Sequence, residues 1–333
     1  MAELRSDEEL EFKPFPLLSS GHLQTIMAAF LPQLPEKFPS QLHTVPLPDG
    51  DKLCVAVSTP EDFTPQKRTV VMIHGLTGDY QVLYLSRLGQ KLFERGFQVV
   101  RLNLRNCGPG MGLARKPYHA GQSGDLREVL LWLEREGRSG PITVAGFSLG
   151  GNLALKLAGE VGETPLAGWD SVVGISAPIC LESCLKLMER PVNRIYEFYF
   201  LRRMKAAVVK LSHIFSHVDL QKLSKIKTMR EFDDFFTAPE GGFKDALDYY
   251  RKASAFPYIS RIGIKALILT ARDDPFIAVE PYERIVPREN LEVYISSGGG
   301  HLGFLCSPER GFIQWMDNLL LDWIERLDGE KGD

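Results

Sequence analysis

The chain has 333 residues, 44% of them apolar and 24% charged, which is the profile of an ordinary globular protein. That length suffices for one large α/β domain with an insertion, or for two ordinary domains. With 39 basic against 42 acidic residues the net charge is −3, which excludes a global attraction to nucleic acid or an anionic membrane but not a local basic patch.

The first residues, MAELRSDEELEF, are acidic and lack the basic patch and apolar run of a signal peptide. No stretch reaches the roughly 20 apolar residues needed to span a bilayer. Cys54, Cys107, Cys180, Cys184 and Cys306 are sparse and odd in number, with no Cys/His grouping for zinc. Free thiols in a reducing compartment, and a cytoplasmic protein, are expected.

Residues 1–40 read as an N-terminal arm. Its prolines forbid long regular structure, its aromatics suit a segment laid over the domain, and SGHLQTIMAAF (20–30) has room for a short helix. A βα rhythm then begins. Gln41–Pro46 and Lys52–Ser58 flank the Pro48-Asp49-Gly50 turn and predict a hairpin. Thr69–Ile73 predicts a strand, followed by HGLTGD and the helical run YLSRLGQKLFERG. Phe97–Leu102, Ile142–Gly146 and Asp170–Ser176 predict further strands, with helices over Ser123–Glu136 and Asn152–Gly159. Asp125 suits a helix start.

From 179 to 258 no strand is evident, and the composition is helical, aromatic and basic. Strands return at Lys265–Thr270 and Leu291–Ile295, and a helix from about Gly311 to Leu327 ends the chain. The fold class expected is α/β, with a mostly parallel sheet covered on both faces. Residues 41–178 and 259–333 would form the core, and 179–258 a helical cap insertion placed as a lid.

Gly146-Phe147-Ser148-Leu149-Gly150 is a G-x-S-x-G sequence between a strand and a helix, the context in which a strained turn presents a nucleophilic serine. A serine hydroxyl needs a base to take its proton. His301, in the glycine-rich SSGGGHLGFL after the last strand, is the candidate. A carboxylate must hold the other ring nitrogen. Asp274, in ARDDPF after the strand KALILT, is assigned that place, with Asp273 as the alternative. Oxyanion donors are expected from the backbone N–H groups of Leu149 and of Leu76, in the loop His74-Gly75-Leu76-Thr77-Gly78. His74 reads as a structural hydrogen-bonder.

GFSLGGN, SGHLQT (20–25), HGLTG (74–78), NLRNCG (103–108), YHAGQSGDL (118–126), ARDDPF (271–276) and GGHLGF (299–304) together resemble the YheT-like branch of the α/β-hydrolase superfamily, over nearly the whole chain. The resemblance implies an α/β-hydrolase fold, an esterase- or lipase-like activity, and a triad of Ser148, Asp274 and His301. The family's proline before the strand after the insertion is absent, and Ile262-Gly263-Ile264-Lys265 stands there. Arg105 and Asn106 either line the pocket or hold their loop. His22 and His119 carry no assigned role.

The function expected is hydrolysis of a small-molecule acyl ester or thioester through an acyl-serine, with no metal or organic cofactor. Neither a nucleic-acid partner nor an integral membrane segment is expected, and peripheral membrane contact stays open. Two alternatives stand beside it: an acyltransferase that hands the acyl group to an alcohol, and a non-catalytic binding module on the same fold.

Overall fold

The computed structural model describes residues 12–31, 38–164, 166, 168–306 and 314–329. Eight strands are present among them: β1 (Gln41–Pro46), β2 (Lys52–Ser58), β3 (Thr69–Ile73), β4 (Gln98–Asn103), β5 (Ile142–Phe147), β6 (Trp169–Ile175), β7 (Lys265–Ala271) and β8 (Leu291–Ser296). They form one sheet in the order β1-β2-β4-β3-β5-β6-β7-β8. β1 and β2 make the expected antiparallel hairpin, and β2 runs antiparallel to β4. Every pair from β4 through β8 is parallel.

Strands β3, β4 and β5 are buried along their whole length because both of their faces are covered. In β3, Val71 and Ile73 enter the cluster on one face, while Val70 and Met72 enter the cluster on the other. β5 divides in the same way, with Ile142 and Val144 on one face and Ala145 and Phe147 on the opposite one. Side chains that alternate across the pleat thus serve two separate cores. Several strand ends move by one residue from those expected, as with Gln98–Asn103 in place of Phe97–Leu102.

The helices that matter for the site are α1 (Gly21–Phe30), α2 (Leu83–Glu94), α3 (Ser123–Arg135) and α4 (Leu149–Val161). α4 begins three residues earlier than the sequence pattern indicates, directly after Ser148. Gly150 and Gly151 mask its start, since glycine is a poor helix former. The C-terminal helix spans Trp315–Gly329, and its expected start at Gly311 lies outside the described residues.

Between β6 and β7 the described residues are helical, beginning with α5 (Leu181–Met188) and α6 (Arg194–Lys210). Short helices follow at Leu220–Lys225 and Met229–Phe232, capped by the side chains of Asp219 and Thr228. This region has a small apolar cluster of its own, built around Leu201, Val208, Phe215, Phe232 and Phe236. All five cysteines are unpaired. Among the described residues no helix is long and apolar enough to cross a membrane.

Candidate active site

Ser148 follows β5 and caps α4 with φ 51° and ψ −123°, a backbone conformation that L residues rarely adopt. The turn closes only because its neighbours lack side chains. A Cβ on Gly146 would lie 2.2 Å from the carbonyl oxygen of Gly150. The strain stands the serine hydroxyl at the start of α4, where the helix dipole favours negative charge.

Two loops from later strands reach that hydroxyl. His301, after β8, places Nε2 3.1 Å from Ser148 Oγ, and its Nδ1 lies 2.8 Å from Oδ2 of Asp274, which follows β7. A carboxylate only accepts, so Nδ1–H donates to Asp274 and Nε2 is left to accept the Ser148 hydroxyl. The other carboxylate oxygen, Oδ1, accepts the N–H groups of Phe276 at 3.1 Å and Ile277 at 3.0 Å. The Asp274 side chain is fully buried and that of His301 nearly so. The ring of Phe276 packs on the imidazole with centroids 4.2 Å apart. Asp273 turns the other way and accepts the Gly300 N–H at 2.9 Å, so it shapes the histidine loop without touching the ring.

The loop after β3 lies beside this trio because Ile73 of β3 is paired with Gly146 of β5. Gly75 N–H donates to the Tyr84 hydroxyl and Thr77 N–H to the Tyr118 hydroxyl, both at 2.9 Å. Burial pushes both phenols up, so they stay neutral. Among the described residues the N–H groups of Leu76 and Leu149 have no protein acceptor. Two unspent donors therefore flank the serine. His74 braces the loop from beneath: Nδ1–H donates to Gly75 O at 2.7 Å and Nε2 accepts the Leu104 N–H at 3.2 Å. Burial lowers its pKa to about 4, which keeps the ring neutral.

The role of the SGHLQT segment was not legible in the sequence. α1 packs directly against the aspartate and histidine loops. A Cβ on Gly21 would sit 1.8 Å from Asp273 O, so only glycine permits the approach. Thr25 Oγ1 accepts the His301 N–H at 2.8 Å and donates to Gly21 O at 2.7 Å. Gln24, fully buried, accepts Leu305 N–H at 2.7 Å and donates to Leu305 O at 3.0 Å. His22 bonds the Tyr196 hydroxyl of α6 at 2.9 Å. The sequence marked this segment only as one of the motifs that carry the family resemblance, with nothing to say what it touches.

Arg105 and Asn106 do both: they line the cavity beside the serine and they hold their loop, Arg105 as a clamp. Its buried guanidinium bonds Asp125 through Nε and Nη2, and Asp49 and Asp51 through Nη1, at 2.7 to 2.8 Å. Asp125 lies in the first turn of α3, as expected of a helix-start carboxylate, but its side chain pairs with Arg105 and the N-cap residue is Gln122. Asn106, at φ 59°, ties its own loop through Ala114 and Gly112.

A cavity of about 390 Å³ opens at Leu76 and Leu149 and runs under α6 toward Phe215, Phe232 and Phe236. Its walls are mainly apolar. His119 and Tyr249 line its floor, and burial lowers the His119 pKa to about 4.

The family model described as alpha/beta hydrolase fold matches residues 68–182. The chain is 34% identical to YheT of Escherichia coli (strain K12) over 94% of its own length and 93% of that protein's. It is 30% identical to phospholipase ABHD3 of Homo sapiens, over 78% of this chain and 64% of that one. Among solved structures, the Pyrococcus furiosus esterase Pf2001 superposes with a TM-score of 0.57 at 18% identity, covering 87% of this chain and 91% of that one, a likeness of fold alone.

Proposed function

Because the chain belongs to the YheT-like branch of the α/β-hydrolase superfamily, we propose that it is a serine hydrolase that cleaves an ester or thioester of an acyl chain through an acyl-serine. One observation carries the reading: His301 bridges Ser148 Oγ and Asp274 Oδ2 at 3.1 and 2.8 Å, the arrangement in which a neutral imidazole takes a proton from serine.

In this reading Ser148 Oγ attacks the carbonyl carbon as its proton passes to His301 Nε2. Asp274 stabilises the imidazolium and holds its tautomer. The free N–H groups of Leu76 and Leu149 receive the negative charge that develops on the carbonyl oxygen. His301 returns the proton to the leaving alcohol or thiol. Water, deprotonated by the same ring, then releases the acid. The apolar cavity beside the two donors supports an acyl chain as the part of the substrate held there.

A fluorophosphonate probe tests the proposal. The folded chain is expected to label, and Ser148→Ala to abolish labelling. Equal labelling of the two proteins, or none of either, overturns it. A panel of p-nitrophenyl esters of increasing chain length then maps the cavity. With ethanol added, free acid is expected as the product, and an ethyl ester would reassign the acceptor to an alcohol.

A further inference from the structure

α1 and α6 expose the wrong face for an ordinary amphipathic helix. α1, GHLQTIMAAF, contains no charged residue, and it buries Gly21 and polar Gln24 while Leu23, Ile26, Met27 and Phe30 face outward. Those four positions follow the i, i+3, i+4, i+7 spacing of a single stripe. Phe30 is 79% exposed. α6 also exposes apolar residues, at i, i+3 and i+4 in its first turns and again near its end, with Arg202 at the i+7 position. Ile195, Phe198, Tyr199 and Val209 face outward, with Phe198 67% exposed. The two helices meet where His22 stacks on Tyr196, with ring centroids 5.7 Å apart. Two apolar stripes on neighbouring helices exceed the scattered exposure of single apolar residues that is normal on a protein surface.

The exposed charged residues of α6 itself have one sign. α6 carries Arg194, Arg202, Arg203, Lys205 and Lys210, and its only acid, Glu197, is buried and accepts the Met229 N–H. This basic helix stands on a chain whose net charge is −3. Its position is also specific. Tyr196 packs on Phe276, which packs on His301, so the outward face of α6 lies over the end of the sheet that holds the candidate site. We infer that the outward faces of α1 and α6 form a docking surface for an anionic phospholipid layer. The apolar stripes enter the acyl boundary while the exposed Arg194 and Arg202 pair with headgroup phosphates; Arg203 is held by Thr77 and takes no part.

The inference goes beyond the hydrolase reading and does not need turnover. The test is flotation of the full chain with phosphatidylcholine vesicles, with and without about 30% phosphatidylglycerol. The wild type is expected to float with the anionic vesicles and to be released by about 0.5 M NaCl. Phe30→Asp with Phe198→Asp, and separately Arg194→Glu with Arg202→Glu, are each expected to weaken partition by about tenfold or more. Fluorophosphonate labelling of both variants reports an intact fold and site, so failure to dock and failure to react are read separately. No flotation of the wild type, or variants that float as the wild type does, overturns the inference. It is also overturned if the wild type is a dimer in solution that Phe198→Asp dissociates, since the face would then be an interface between copies.

Discussion

The hydroxyl of Thr25 accepts the backbone N–H of His301 at 2.8 Å, across a separation of 276 residues. Through this bond, and the bonds from neighbouring Gln24 to Leu305, α1 sets the position of the loop that carries the imidazole. Thr25 touches no reacting atom, so its effect is one of position. Thr25→Val keeps the shape and removes the acceptor. It is expected to lower kcat by about 10- to 100-fold with little change in KM, because misplacing a reacting group penalises the transition state most. Thr25→Ser is expected to restore most of the rate. Steady-state kinetics on a soluble p-nitrophenyl ester checks it, and equal losses in both variants would show a merely structural role.

Arg105 holds three carboxylates, of which Asp51 and Asp125 are buried. Removing the cation leaves buried Asp125 without its partner and buried Asp51 with only the exposed Arg115, in a medium that cannot solvate them. Arg105→Met is therefore expected to destabilise the fold by about 3–5 kcal/mol. Urea denaturation at neutral pH measures this as a shift of the midpoint. A variant of wild-type stability would show that the clamp contributes no net energy.

Burial lowers His74 and His119 from the ordinary 6.5 to about 4. In the unfolded chain both take up protons near pH 6.5, while the folded state resists until about pH 4. A depressed folded pKa gives stability that is present above pH 6.5 and lost as pH falls toward 4. For His74, which is wholly buried, the loss is on the order of 3 kcal/mol. Burial raises Asp233 to about 6, so the folded state takes up that proton first and offsets part of the loss as pH falls from 6 toward 4. Urea midpoints measured from pH 7.5 to 4.5 are expected to fall, most clearly above pH 6. His119→Asn keeps an acceptor for the Gly121 N–H. It is expected to flatten the decline, and an unchanged slope would remove His119 from the account.

Much of the architecture could be read in advance, for a local reason. The runs TVVMI and KALILT are apolar on both faces, and the GFSLGG turn imposes a backbone that few other residue combinations tolerate. The site was legible to the extent that its residues sit at strand ends. The sequence favoured Asp274 over its neighbour Asp273 without excluding the latter, and the direction of each side chain separates them: one reaches the imidazole, the other the Gly300 N–H. The contacts of Gln24, Thr25 and Arg105 span long separations that leave no periodic trace.

Composition and pattern established an α/β chain with a strained serine after one strand and an aspartate and a histidine after two later ones. Periodicity records which residues share a side of an element, but not what arrives on that side. α1 shows the difference: its apolar stripe reads as a core face, yet the polar Gln24 is buried and Phe30 stands in solvent. Which face is covered depends on neighbours hundreds of residues away, here the loops at Asp273 and His301. The orientation of α1, the clamp at Arg105 and the cavity under α6 were therefore decided only when the distant parts of the chain packed together.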